Sequence, residues 1–179
     1  MKKYLDGKRV YLRPFEEGDA IHIYEALLNS EFRKLTGTQT FFAIDDIKAA
    51  YEKFKEDRTR LDFTIMLKET GAVIGDVALN EIDYLNNNGN VRIGIYDQEH
   101  YGKGYGPEAL QLLLEYGFEV CNLYRISLNV FEYNKRAIKA YEKLGFVKEG
   151  VLRGELLYDG TYYDNILMSI LRPEFKTEN

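Results

Sequence analysis

The sequence is poor in the residues from which disulfides and metal sites are built. Of its 179 residues, one is a cysteine, Cys121, and two are histidines. A single cysteine excludes an internal disulfide and a cysteine-held metal cluster, and it is typical of a reducing compartment. His22 and His100 have no partner histidine or cysteine cluster, so we expect no metal. The sequence therefore favours a cytoplasmic protein without a metal cofactor.

Long apolar runs are also missing. No stretch approaches the roughly 20 apolar residues of a membrane-spanning helix. The opening residues, MKKYLDGKRVYL, contain no apolar segment of the signal-peptide kind. An excess of positive charge is missing as well, because the net charge is −5. We therefore expect neither nucleic acid nor a membrane as the partner, whereas a cationic or amine-bearing substrate is compatible with the charge.

Apolar residues, in contrast, make up 45% of the chain, which is enough for one sizeable core. Their spacing, together with turn residues, predicts seven strands and four helices. The predicted elements are a strand at 8–15, helices at 16–30 and 45–58, strands at 62–71, 72–83 and 89–97, a helix at 107–122, a strand at 124–131, a helix at 135–144, and two strands within 147–171. Residues 32–43 read as a loop. The order favours a mixed α/β sheet with antiparallel strands in the middle and a parallel portion later.

A glycine-rich segment, HYGKGYGPEAL at 100–110, precedes the third helix. Glycine stands at the alternate positions 102, 104 and 106, which allows a ligand to approach the backbone. The free N–H groups at a helix start bind anions such as phosphate, and Lys103 adds a positive charge. We interpret the segment as a phosphate-binding turn. The Walker and dinucleotide-binding patterns both fail on spacing, so the residues alone leave the ligand open.

Three separated motifs give the chain a resemblance to the GNAT superfamily of N-acetyltransferases. YGKGYGPEAL resembles the family's acetyl-CoA motif, which reads Gln or Arg, two residues, Gly, one residue, then Gly or Ala. NLYRISLNVFEYNKRAIKAYEKLGFVKEGVLR is similar to the second signature, an Asn-led helix that ends in Tyr-x-x-x-Gly-Phe. VYLRPFEEGDA resembles the first strand and turn of the branch that contains ribosomal-protein and spermidine N-acetyltransferases. The resemblance covers about residues 8–172.

The resemblance implies the GNAT fold and acetyl-CoA as the co-substrate. That fold has a central, mostly antiparallel sheet of about seven strands, splayed in the middle and flanked by four helices, here a single domain at 1–179. The cofactor-binding residues implied are Ile95, Tyr96, Tyr101, Gly102, Lys103, Gly104, Tyr105, Gly106, Asn129 and Asn134. Main-chain groups around Ile95 and Tyr96 would bind the developing oxyanion. Tyr101 departs from the family, since it stands where Gln or Arg is usual.

Acetyl transfer to an amine needs a general acid for the leaving thiolate and a base for the ammonium. By similarity, Tyr141 is the acid that faces the CoA sulfur, although its helix position also suits a core residue. We assign Glu81 as the base, acting directly or through water, because an acid there interrupts an apolar strand and resembles an acidic position of spermidine acetyltransferases. An exposed edge carboxylate is the alternative at Glu81, and Asp76 and Asp83 are weaker candidates for the base.

The sequence thus predicts direct acetyl transfer from acetyl-CoA to a primary amine. Both a polyamine-like small molecule and a protein N-terminus are natural acceptors within the resemblance. An acetyl-CoA-binding module without turnover is the alternative from another class, and a nucleotide-binding regulator is a third. The resemblance also implies a homodimer or higher homo-oligomer.

Overall fold

The computed structural model describes residues 5–176, and in this part eight strands form one sheet. The strands are β1 (Leu5–Asp6), β2 (Val10–Pro14), β3 (Leu61–Leu67), β4 (Val73–Asp83), β5 (Asn88–Ile95), β6 (Arg125–Phe131), β7 (Val147–Tyr158) and β8 (Thr161–Leu171). Their order in the sheet is β1-β2-β3-β4-β5-β6-β8-β7. Each strand is antiparallel to its neighbours except at β5–β6, which is parallel. The predicted mixed, mostly antiparallel α/β sheet is confirmed.

Five α-helices, all within the described residues, cover the sheet. They are α1 (Ala20–Leu28), α2 (Ser30–Thr36), α3 (Ile44–Glu56), α4 (Tyr105–Glu119) and α5 (Lys135–Lys143). Alternate strand residues such as Leu12, Ile65 and Val77 form the larger core together with apolar residues of α4 and α5. A smaller cluster packs α1 against α3 through Ala20 and Tyr51. Each fully buried leucine or isoleucine contributes about 1.5–3 kcal/mol, so the larger core supplies most of the stability.

The sheet opens between β5 and β6, as the family resemblance implies. The two strands pair only where residues 88–90 lie beside residues 125–127. Beyond Asn90, β5 continues to Ile95 with no strand partner on that side among residues 5–176, whereas β6 pairs with β8 along its other edge from Arg125 to Phe131. The opening leaves main-chain groups of β5 available to a ligand at this end of the sheet.

Two short elements differ from the sequence prediction, which gives seven strands, four helices and a loop at 32–43. The additional strand, β1, pairs with β2, and the additional helix, α2, begins at Ser30 and overlaps the first part of the predicted loop. Neighbouring residues determine where this helix begins and where it ends. The side chain of Asn29 accepts hydrogen bonds from the N–H groups of Glu31 and Phe32, and Gly37 takes the left-handed conformation with a φ of 68°. A helix of seven residues is too short to show a clear apolar period, which explains the error.

Candidate active site

A cavity of about 590 Å³ lies at the unpaired end of β5. Four elements contribute to its walls: the end of β5, the turn before α4 together with the first turn of α4, one side of α5, and α2. The structure brings together in this cavity most of the predicted cofactor-binding residues and the predicted acid. The residues in common are Ile95, Tyr101, Gly102, Gly104, Tyr105, Gly106, Asn134 and Tyr141.

The turn at residues 101–104, here called the glycine turn, presents backbone donors to the cavity together with the start of α4. Gly102 and Gly104 have φ angles of +71° and +83°, which glycine adopts without strain. Gly104 is the N-cap of α4, and its carbonyl accepts the helix's first hydrogen bond, from the N–H of Glu108 at 3.1 Å. The N–H groups of Tyr105 and Gly106 precede that bond, so they have no partner within the helix. This donor set, at the positive end of a helix dipole, fits a diphosphate.

Arg9, the residue just before β2, holds the glycine turn in place. The Arg9 guanidinium donates to the carbonyl of Lys103 at 2.6 Å and to Oε2 of Glu108 at 2.9 Å. The N–H groups of Arg9 and Val10 donate to Oε1 of Glu108 at 2.7 and 3.1 Å. Burial alone would raise the pKa of Glu108, but these hydrogen bonds outweigh it and lower the pKa below its usual value. Lys103 thus takes part through its carbonyl, and its side chain does not line the cavity.

Tyr141 lies on α5, which begins as the sequence predicts. The side chain of Asn134 accepts a hydrogen bond from the N–H of Ala137 at 3.2 Å, so Asn134 caps the helix and also lines the cavity. The ring of Tyr141 packs beside Phe146, with 5.9 Å between centroids. Burial raises the pKa of Tyr141 to about 12. Its hydroxyl therefore holds its proton at neutral pH, as a general acid requires.

The direction of the N–H groups along β5 separates the two predicted oxyanion donors. The N–H of Tyr96 donates to the carbonyl of Ile74 on β4 at 3.0 Å and is already used. N–H directions alternate along a strand, so the N–H of Ile95 points the other way, into the opening towards β6. The ring of Tyr96 packs edge-on against Phe32 and does not line the cavity. The N–H of Ile95 is therefore free to bind an oxyanion, whereas the N–H of Tyr96 is not.

Glu81 lies apart from the cavity, which corrects its assignment as the base. It is exposed, has a φ of 52°, and interrupts the register near the end of β4, between Asn80 and Asp83. Because β4 and β5 are antiparallel, that end of β4 lies beside Asn88, the start of β5, whereas the cavity lies at the end of β5. The structure therefore does not bring Glu81 and Tyr141 together.

Other candidates from the sequence also lie outside the cavity walls. Asn129 is exposed on β6, opposite Leu167 of β8. Asp76 is buried opposite Gly94, and its Oδ2 atom lies 2.7 Å from Nη1 of Arg92, close enough for an ion pair although the geometry is not that of a hydrogen bond. Within residues 5–176, no aspartate or glutamate lines the cavity, and no group of three or more His, Cys, Asp or Glu side chains could hold a metal ion.

Sequence reasoning missed three cations of α5. Arg136, Lys139 and Lys143 all line the cavity. Their spacing of three and four residues places them on one side of the helix, and this spacing was the signal that could have identified them. The guanidinium carbon of Arg136 lies 3.9 Å from the centroid of the Tyr101 ring, within the range of a cation–π interaction. The cavity wall on α5 is therefore positively charged.

Comparisons with known proteins point to one family. The model of the acetyltransferase (GNAT) domain matches residues 9–147. The chain is 31% identical to spermidine N(1)-acetyltransferase of Escherichia coli over 170 residues, 95% of this chain and 90% of the relative. It is also 31% identical to the Vibrio cholerae enzyme of the same name, over 94% of this chain and 96% of the relative.

A solved structure agrees with these sequence comparisons. The crystal structure of spermidine N-acetyltransferase from Vibrio cholerae, in complex with CoA and spermine, superposes with a TM-score of 0.86 at 31% identity, covering 93% of this chain and 97% of that one.

No helix formed by residues 5–176 is both long and apolar enough to cross a membrane.

Proposed function

Because this chain belongs to the GNAT acetyltransferase family and is an acetyl-CoA-dependent N-acetyltransferase, we propose that it acetylates a primary amine of a small, polyamine-like molecule. The observation that carries the proposal is one cavity that joins the glycine turn, the free edge of β5 and Tyr141. We assign all three to a single active site, and we regard residues 8–172 as the one domain that forms it.

The co-substrate fits the residues that are present. Acetyl-CoA supplies a thioester whose carbonyl carbon accepts the amine and whose thiol leaves. The N–H groups of Tyr105 and Gly106 bind the diphosphate at the start of α4. Asn134 and the edge of β5 line the path towards Tyr141. The N–H of Ile95 stabilises negative charge on the carbonyl oxygen.

Tyr141 acts as the general acid in this proposal. Its hydroxyl gives a proton to the departing sulfur, which would otherwise leave as a thiolate with a pKa of about 8.5. Burial keeps the hydroxyl protonated, because it raises the pKa of Tyr141 to about 12. The geometry of the cavity, and not the spacing of α5 alone, favours this role over a purely structural one.

Among residues 5–176, no carboxylate on the cavity wall is available as a base for the acceptor amine. Glu81 lies at the other end of β4, and Asp76 is paired with Arg92. An aliphatic amine with a pKa of about 10.4 is mostly protonated at pH 7, so loss of its proton to solvent costs several kcal/mol. We therefore expect kcat/KM to rise with pH up to the pKa of the amine.

The acceptor side of the cavity is the wall formed by α2. Phe32, Leu35 and Thr36 line it, and Gly94 of β5 lies opposite the Phe32 ring. The two spermidine acetyltransferases to which the chain is similar support a polyamine-like acceptor, and the net charge of −5 is compatible with a cation. A protein N-terminus is the alternative acceptor.

A panel of amines with detection of released CoA thiol tests the proposal. The panel contains spermidine, spermine, lysine, aminoglycosides, and peptides that begin with Ala or Ser. We expect the polyamines to give the highest kcat/KM. Faster release with the peptides would overturn the polyamine assignment. CoA binding without thiol release from any amine would indicate an acetyl-CoA-binding module.

A further inference from the structure

The position that opens the acetyl-CoA motif holds Tyr101, an aromatic residue where the family has Gln or Arg, and a cation from another element lies on its ring. We propose that Arg136 of α5, held in place by Tyr101, binds a phosphate of acetyl-CoA and thereby replaces the polar side chain that the motif has lost. The proposal rests on acetyl-CoA as the co-substrate and deepens the proposed function at its cofactor end. Arg136 is the binding residue, and Tyr101 is a positioning residue.

Tyr101 is fixed well enough to position a side chain. Its N–H donates to the carbonyl of Gln98 at 3.0 Å, which ties it to the short helical turn at Gln98–His100. The residue is half-buried and its ring lines the cavity immediately before Gly102. Burial is the largest influence on the Tyr101 hydroxyl and raises its pKa, while the charge of Arg136 acts in the opposite direction. The ring thus offers Arg136 an uncharged, ordered surface.

Arg136 remains available for an anion. It is the second residue of α5, next to the capped end at Asn134, and it lines the same cavity as the glycine turn. In the chain from residue 5 to residue 176, no carboxylate lies within 4.0 Å of its guanidinium nitrogens. A guanidinium can bind a phosphate with two parallel hydrogen bonds, and stacking on an aromatic ring leaves its donor edge free.

The surroundings of Arg136 favour a phosphate over a carboxylate. Lys139 and Lys143 continue the positive wall along α5, and the N–H groups at the start of α4 face the same space. A phosphate monoester carries about two negative charges at neutral pH, and CoA bears such a group in addition to its diphosphate. Several donors around one cavity match this charge better than they match one carboxylate.

Binding of CoA to the acceptor-free enzyme, measured by calorimetry, tests the proposal. We expect Arg136→Gln to raise the Kd for CoA about 10-fold or more and to reduce the dependence of Kd on salt, because a charged contact to phosphate is lost. Lys135→Gln is the matched control, since it removes the same charge from the neighbouring position, which does not line the cavity. An unchanged Kd for Arg136→Gln, or equal losses in both variants, would overturn the proposal.

Two changes at Tyr101 test its positioning role. Tyr101→Phe keeps the ring, so we expect a Kd within about 2-fold of wild type, whereas Tyr101→Leu removes the ring and should reproduce most of the Arg136→Gln loss. The double variant Tyr101→Leu/Arg136→Gln should bind CoA no more weakly than Arg136→Gln alone, because the two residues act as one unit. Additive losses would show that Tyr101 acts independently of Arg136.

A comparison with 3′-dephospho-CoA locates the contact. If Arg136→Gln weakens this ligand as much as CoA, Arg136 binds the diphosphate, and if the loss disappears, it binds the 3′-phosphate. Both outcomes support a phosphate contact. Thermal melts without ligand show whether each variant folds. Because no acceptor is present, failure of the amine panel and failure of this proposal are distinguishable.

Discussion

At the scale of single residues, the candidate acid depends on where the side chain lies and on how burial controls its proton. Tyr141 lines the cavity, and burial raises its pKa to about 12. A hydroxyl with such a pKa stays protonated over the whole working range of the enzyme. It can give up a proton only when a stronger base, such as a departing thiolate in the same enclosed space, forms beside it.

Tyr141→Phe removes that proton and little else. We expect kcat to fall about 10²-fold or more, the usual contribution of a general acid, while the Kd for CoA stays close to wild type. The rise of kcat/KM with pH should persist, because it belongs to the amine and not to Tyr141. Steady-state kinetics across pH 6–10 and calorimetry with CoA measure both effects. Full activity of the variant on its best acceptor would rule Tyr141 out as the acid.

Another residue-scale consequence concerns a buried ion pair. Arg13 donates two hydrogen bonds of 2.7 Å to Asp19, which also accepts from the hydroxyl of Thr64 and the N–H of Glu16, both at 2.8 Å. Burial acts to raise the pKa of Asp19, but these hydrogen bonds prevail and lower it. Asp19 thus joins β2 and β3 to the start of α1 and does not cap α1 with its side chain.

Asp19→Asn should destabilise the fold by about 3 kcal/mol at pH 7, since it leaves the buried Arg13 with only the exposed Glu16, 4.0 Å away, as a counter-charge. The folded-state pKa of Asp19 is depressed, so its stabilisation is present above the ordinary carboxyl pKa of about 3.9 and is lost as pH falls through the folded-state value. Urea unfolding from pH 7 to pH 2 measures this, and the variant should show a weaker dependence on pH. Glu17→Gln, at an exposed position with a 3.7 Å pair to Lys48, is the control and should cost under about 0.5 kcal/mol.

At the scale of elements, the sequence predicts features that depend only on residues close along the chain, such as the ends of a helix. The Asn134 cap and the left-handed Gly145 fix both ends of α5, and they are the Asn that leads the second family signature and the Gly of its Tyr-x-x-x-Gly-Phe end. The distance between Glu81 and Tyr141 could not be predicted, because it depends on strand register and on a bulge, which are set by partners far along the chain. The same limit explains Tyr96, whose N–H direction follows from its pairing with Ile74.

The turn before α4 gives a test at this scale. Gly104→Ala places a side chain at a φ of +83° and a Cβ 2.9 Å from the Arg9 guanidinium. We expect a loss of about 1–2 kcal/mol in stability from the backbone, together with a several-fold rise in KM for acetyl-CoA as the turn shifts. Gly160→Ala, at a φ of +74° with nothing within 4 Å, is the control and should lose similar stability without a change in KM. A rise in KM for both variants would mean that lost stability, not the turn, weakens cofactor binding.

At the scale of the whole molecule, the opening in the sheet and its two faces determine the site. One face carries the larger core with α4 and α5, while Thr64 and Arg92 of the sheet donate hydrogen bonds to Asp19 at the start of α1 and to Tyr51 of α3. The register places Arg13, Thr64 and Asp76 side by side on three neighbouring strands, next to Gly94 on the fourth. A row of three polar residues therefore crosses the sheet and ends at the cavity wall, which Gly94 lines. The family resemblance implied the opening, but pattern and spacing alone could not, because it requires the register of β5 against β6.

Since one sheet carries the larger core and is hydrogen-bonded to the helices of the smaller cluster, the chain should unfold as a single cooperative unit. Far-UV circular dichroism and tyrosine fluorescence should give coincident transitions in urea, and calorimetric and van't Hoff enthalpies should agree. CoA at 100 times its Kd should add about 2.7 kcal/mol to the free energy of unfolding, which corresponds to a rise of about 5–10 °C in Tm for a chain of this size. ATP and NAD at equal concentration should raise Tm less, because they lack the pantetheine arm of CoA. Two separated transitions would contradict the single domain, and a larger shift with ATP or NAD would favour a nucleotide-binding regulator over an acetyltransferase.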